Sequence, residues 1–194
     1  MYRIVMGLIL FAFQTFSLVP MPANSPAESA TAPTCESIGT QKLQITCTYS
    51  AAPGPANGAP SGERIVLNRA VLSFETKGDD FMLVDLMFTN EGTKVPSAEY
   101  RIYLTIEDQD GHNMVRRVLS KVDFSKLPPG KPVTFSERFL IGGFRRGRYT
   151  ISLLIPNPDP TLKNNLANNI FLSNEGIANP VTGSNTIANF SVGP

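Results

Sequence analysis

A chain of 194 residues with 42% hydrophobic and 17% charged residues is long enough to enclose a core and too apolar to stay disordered. Its formal charge of +1 sets up no long-range field, which argues against nucleic acid as a partner and against a charge-driven hold on an acidic membrane. Two cysteines and one histidine are too few for a zinc-type ligand set, so neither metal nor cofactor is expected.

At the N-terminus, Arg3 precedes the apolar run Ile4 to Phe13, then Gln14 and small residues at Thr15, Ser17 and Ala23. This is the pattern of a signal peptide over residues 1–23, with cleavage after Ser17 or Ala23. The run is shorter than the roughly 20 residues a bilayer span requires, so no stable membrane span is expected. No cysteine ends the run to carry a lipid anchor. The protein is therefore expected to be secreted, extracellular or periplasmic.

Residues 24–34 are small, polar and Pro/Ala-rich and read as a linker. Residues 35–50 form a short Cys-containing strand segment in which Leu43, Ile45, Cys47 and Tyr49 fall on one side at period 2. A Pro/Gly linker over 51–63 sets that segment apart from the main domain, residues 64–194. Cys35 and Cys47 are the only cysteines, and outside the cytosol they are expected to form a disulfide. Closing a loop of that size contributes about 3 kcal/mol in the chain-entropy model. Two free thiols or a bond between chains are the alternatives.

From residue 64 onward the pattern is strands and turns. Met82, Val84, Leu86 and Phe88 alternate, as do Ile102, Leu104 and Ile106, then Val133, Phe135 and Phe139, then Tyr149, Ile151, Leu153 and Ile155. Gly, Pro, Asn and Asp punctuate the gaps at 90–92, 110–111, 128–130 and 157–160. About seven to nine short strands spaced this way predict an all-β fold, an immunoglobulin-like antiparallel sandwich. Thr161 to Asn168 is short and Asn-rich and reads as a turn or one helical turn.

Candidate chemistry is sparse. Asp108, Asp110 and Gly111 match the opening of a calcium loop, but the later acidic ligands are missing and a hairpin turn accounts for them. His112 sits beside that turn with no nucleophile motif to activate, and Asp79, Asp80, Glu107 and Asp108 lie in or next to turns, so no catalytic residue and no enzyme are expected. Arg145, Arg146 and Arg148 cluster around Gly147, and Arg116 with Arg117 forms a second basic pair; such groups either hold an anionic glycan or phosphate or are solvated turns. If Ile102, Leu104 and Ile106 face the core, Arg101, Tyr103 and Thr105 face the other way and become candidate glycan-binding residues. The absence of Trp removes the largest stacking platform. The Asn-rich run from Lys163 to Asn169 either presents amides to a polar ligand or uses them to close turns. Asn189 heads the sequon Asn189-Phe190-Ser191 and is a candidate N-glycosylation site in a eukaryotic host.

The ordered set Gly147-Arg148-Tyr149, Pro156-Asn157-Pro158-Asp159, Asn174-Glu175-Gly176 and Thr182-Gly183-Ser184-Asn185 resembles a secreted C-terminal β-domain family known as domain of unknown function 4832. Asn90-Glu91-Gly92, the turn from Glu107 to Gly111 and Leu127-Pro128-Pro129-Gly130 extend the resemblance over residues 64–192. In that family the domain usually follows a glycosidase-like barrel, which is not among these residues, so no activity carries over. The resemblance implies a non-catalytic module that binds or presents carbohydrate as an accessory to glycan processing. A structural or protein-interaction domain of the cell surface or envelope, with a surface protein as partner, is the alternative.

Overall fold

The structure, a computed structural model, describes residues 34–38, 42–52, 62–75, 81–96, 100–142 and 144–192. The segments expected to be a signal peptide and a first linker, except Thr34, lie outside the described residues, as do Asp79 and Asp80.

Among the described residues there are ten strands: β1 (Thr34–Ile38), β2 (Lys42–Thr48), β3 (Ile65–Glu75), β4 (Phe81–Asn90), β5 (Tyr103–Asp108), β6 (Asn113–Val118), β7 (Pro132–Leu140), β8 (Gly147–Leu154), β9 (Ala178–Asn179) and β10 (Ser184–Val192). They form two antiparallel five-stranded sheets, in the orders β1-β2-β3-β4-β7 and β6-β5-β8-β10-β9. After β4 the chain crosses to the second sheet for β5 and β6, returns for β7 beside β4, and crosses again for β8 beside β5. That alternation is the immunoglobulin-like topology the strand pattern predicts. Tyr149 adds a further mark of the fold: early in β8, its hydroxyl donates to the Arg145 carbonyl at 2.8 Å, four residues upstream, a tyrosine corner.

The alternating positions fill the space between the sheets. Met82, Val84, Leu86 and Phe88 of β4 face Leu104 and Ile106 of β5 and Ile151 and Leu153 of β8 in one core cluster, each at most 1% exposed. Burying a side chain of this kind contributes about 1.5 to 3 kcal/mol, so these rows hold the sheets together. Two aromatic groups sit at the ends. Phe74, Phe144, Tyr149 and Phe190 pack at centroid separations of 5.0 to 5.6 Å near the start of β8. Phe88, Phe124, Phe135 and Tyr100 form the other group.

Residues 35–50 do not stand apart from the domain, as the Pro/Gly stretch after them suggested. β2 pairs with β3 from Lys42↔Glu75 to Thr48↔Arg69, and Ile45 and Cys47 belong to the core. β1 continues the same sheet and sets Cys35 directly opposite Cys47. Cys47 is fully buried and is not a free thiol. The Thr161–Asn168 region is a turn followed by a three-residue 3-10 helix, Leu166–Asn168.

Segment 169–174 is buried without being a strand, and asparagine side chains supply the ladder it lacks. Asn185 accepts from Leu172 N at 2.8 Å and donates to the Leu153 and Ile170 carbonyls, both at 3.2 Å. Asn174 accepts from Leu67 N at 2.9 Å and donates to the Leu67 carbonyl at 2.8 Å, filling the bulge between Leu67 and Arg69 in β3. Asn169 donates to the Gly183 carbonyl at 2.8 Å. Gly183 has φ +67, and a Cβ there would lie 2.6 Å from Asn169 Nδ2, so this turn requires glycine.

Candidate functional site

Tyr103 opens β5, opposite Val118 on β6 and Leu154 on β8. Its ring is partly exposed and lines a groove of about 420 Å³ with Arg101, Pro156, Asn157, Pro158 and Lys163. The far wall is a stiff turn. Asn157 donates to the Asn168 carbonyl at 3.0 Å and accepts from Asp159 N at 3.0 Å, and Asp159 accepts from Thr161 N and Oγ1 at 2.8 and 2.7 Å. The Thr161 hydroxyl and then its backbone N–H hold the Asp159 carboxyl below its ordinary range. Arg101 and Lys163 are exposed at the rim.

Thr105 departs from the sequence reading. Alternation turns it away from the core, yet it is only 5% exposed, and its hydroxyl lies 3.4 Å from the Ser152 carbonyl it donates to. A short side chain in mid-sheet is walled in by longer neighbours, here Tyr103 and the Arg116 guanidinium that lies 4.9 Å from the Tyr103 ring centroid. The structure thus brings Arg101 and Tyr103 together in one groove and leaves Thr105 out, with one face of Tyr103 taken by Arg116.

The Arg145-Arg146-Gly147-Arg148 cluster lies at the other end of β8. The tyrosine corner fixes the Arg145 backbone, while all three arginine side chains are exposed. They line a depression of about 530 Å³ with Asp108, Gln109, Asp110, Met114 and Tyr149. A second groove of about 430 Å³ continues from Arg148 along Thr150, Asn189 and Ser191. Asn189 is exposed, and its side-chain oxygen accepts from the Thr150 hydroxyl at 2.9 Å.

Asp108, Asp110 and His112 offer ligand atoms within 4.8 Å of one another. Their hydrogen bonds are those of a turn: Asp108 Oδ1 accepts from Asp110 N at 3.0 Å and His112 N at 2.9 Å, and His112 Nδ1 sits 3.4 Å from Asp108 Oδ2. The His112 N–H contributes most to holding the Asp108 carboxyl below its usual value. His112 bonds no hydroxyl or thiol among the described residues. Glu107 and Asp108 are adjacent on β5, so alternation points their carboxyls to opposite faces.

Two polar features escaped the sequence reading. Glu63 is buried and accepts from the Tyr100 hydroxyl at 2.5 Å; burial, then the Glu63 hydrogen bond and charge, raise the Tyr100 pKa. The Asn169, Asn174 and Asn185 amides are structural cross-links, so they are not available to a ligand. A run of asparagines spaced among Ile, Phe and Leu was the signal for both possibilities, and only the backbone path separates them.

No family model, no curated protein and no solved structure matches the chain.

Proposed function

We propose that this protein is a non-catalytic β-sandwich module that binds carbohydrate in the groove between Tyr103 and the Pro156-Asn157-Pro158 turn. The observation that carries the reading is the pairing of one partly exposed aromatic ring with two rim cations, Arg101 and Lys163, across a groove whose far wall is held by its own hydrogen bonds. A sugar face stacks on such a ring and its hydroxyls accept from the donors around it. With Arg116 on one face of Tyr103, only the remaining face and edge are open, which fits a single saccharide unit or a chain end.

The wider setting belongs to the same reading. A leader over residues 1–23 exports the chain, and a Cys35–Cys47 bridge closes the β1–β2 pair. In an antiparallel pair, directly opposed residues have Cα atoms about 4.5 to 5.5 Å apart, within disulfide reach. The likeness of its turns to domain of unknown function 4832 supports an accessory role beside glycan-processing enzymes.

A second reading, a surface protein-interaction domain, is favoured by β6. This edge strand leaves Met114 44% and Val118 48% exposed, and its outer edge pairs with no described strand.

A polysaccharide and oligosaccharide binding array with the wild-type protein and Tyr103→Ala tests the first reading. Binding by the wild type that Tyr103→Ala abolishes, with a melting temperature nearly unchanged, supports it. A wild type that binds no glycan, or a variant that binds as well as the wild type, overturns it.

A further inference from the structure

We propose that the arginine corner at the start of β8 is a second binding site, one that takes the carboxylate or sulfate groups of an acidic saccharide. It shares no residue with the Tyr103 groove and stands whether or not that groove holds sugar.

Three arginines elsewhere in the fold have partners. Arg64 pairs with Glu91 at 3.1 Å, Arg138 with Glu75 at 3.2 Å, and Arg116 lies over Tyr103. Arg145, Arg146 and Arg148 form none of the ion pairs seen among the described residues, although all three border one depression. A guanidinium is a fork of fixed donors that matches a carboxylate or sulfate two bonds at a time. Three within four residues, on a backbone anchored through the Tyr149–Arg145 hydrogen bond, gather their donors around one depression.

The opposite wall decides which anion. Asp108 and Asp110 border the same depression. Asp108 is occupied by its own turn, whereas the Asp110 carboxylate faces solvent as a free acceptor. A polyphosphate would meet repulsion there. An acidic sugar would not, because its hydroxyls donate to Asp110 while its charged group meets the arginines. The groove that continues from Arg148 is lined by Thr150, Asn189 and Ser191, side chains that exchange hydrogen bonds with further hydroxyls. The net charge of +1 gives no long-range capture, so binding acts at contact and weakens with salt.

Affinity electrophoresis through polygalacturonate and heparin, with neutral dextran as reference, tests the site. The wild type should be retarded by at least one acidic polymer. The triple variant R145Q/R146Q/R148Q should bind that polymer at least about tenfold more weakly, each single variant should weaken it in part, and R69Q/K121Q/K131Q, with the same loss of charge elsewhere, should bind as the wild type does. Near-UV circular dichroism checks that each variant is folded; if the triple variant is not, the singles decide. Absence of wild-type retardation, undiminished binding by the arginine variants, or an equal loss in the control triple would overturn the proposal. Tyr103→Ala in the same gels separates the sites: it should leave retardation by the acidic polymer intact.

Discussion

The two ends of the sandwich solve the same problem by different means. At the start of β8 the turns are short and the seam is closed by rings: Phe74, Phe144, Tyr149 and Phe190 stack between the sheets, and one hydroxyl–carbonyl bond fixes the corner. At the far end rings are not the only closure: beside Phe88, Phe124, Phe135 and Tyr100, long connections are packed inside, and a buried non-strand segment is held by asparagine amides that stand in for strand partners. Apolar closure is non-directional and tolerates loss of a polar atom. Amide closure is directional, and each lost partner leaves a buried group unsatisfied. The ring-closed end is therefore free to spend its polar side chains outward, and there the arginines face solvent.

Replacing Asn185 with Ala should produce the largest break in this contrast. It removes the acceptor of the Leu172 N–H and a donor from each of the Leu153 and Ile170 carbonyls together, and a loss of about 3 to 5 kcal/mol is expected in urea unfolding. A loss under about 1 kcal/mol would mean that the segment has other support.

Next in size is the proposed Cys35–Cys47 bridge. Cys35→Ser should cost about 3 kcal/mol in the chain-entropy model, and because Cys47 is fully buried in the core, the loss should appear in the global transition and not only at the N-terminal edge. Non-reducing digestion and mass spectrometry of the protein should give one Cys35–Cys47 peptide pair. Two unmodified thiols would refute the bridge.

The smallest effect belongs to the ring-closed end. Tyr149→Phe removes a single hydrogen bond and keeps the stacked ring, so about 1 kcal/mol is expected from thermal unfolding. If that variant were as damaging as Asn185→Ala, the distinction between the two ends would fail.

Most of the fold was legible because alternation reports burial directly: Met82, Val84, Leu86 and Phe88, and Tyr149, Ile151, Leu153 and Ile155, are buried as their spacing requires. Pairing partners were not. The row Leu43 to Tyr49 announces a strand, but its partner β3 begins beyond a Pro/Gly stretch, and local sequence carries no record of that register. The candidate site was legible in direction only. Alternation turned Tyr103 and Thr105 outward together, and the cover over Thr105 comes from a different strand. Asn174 and Asn185 read as turn residues because polarity suggests solvent, whereas their amides are worth most where no water competes.

The asparagine lattice also bears on how the protein ages. Deamidation begins when the backbone nitrogen of the following residue attacks the asparagine side-chain carbonyl, and the product at Asn185 would be a buried carboxylate with no N–H for the Leu153 and Ile170 carbonyls. In the folded chain that nitrogen, on Thr186, already donates to the Ile177 carbonyl at 2.7 Å, and the Asn185 amide is pinned on the other side by Leu172. The bonds that make aspartate intolerable at this position also deny the geometry that would create it.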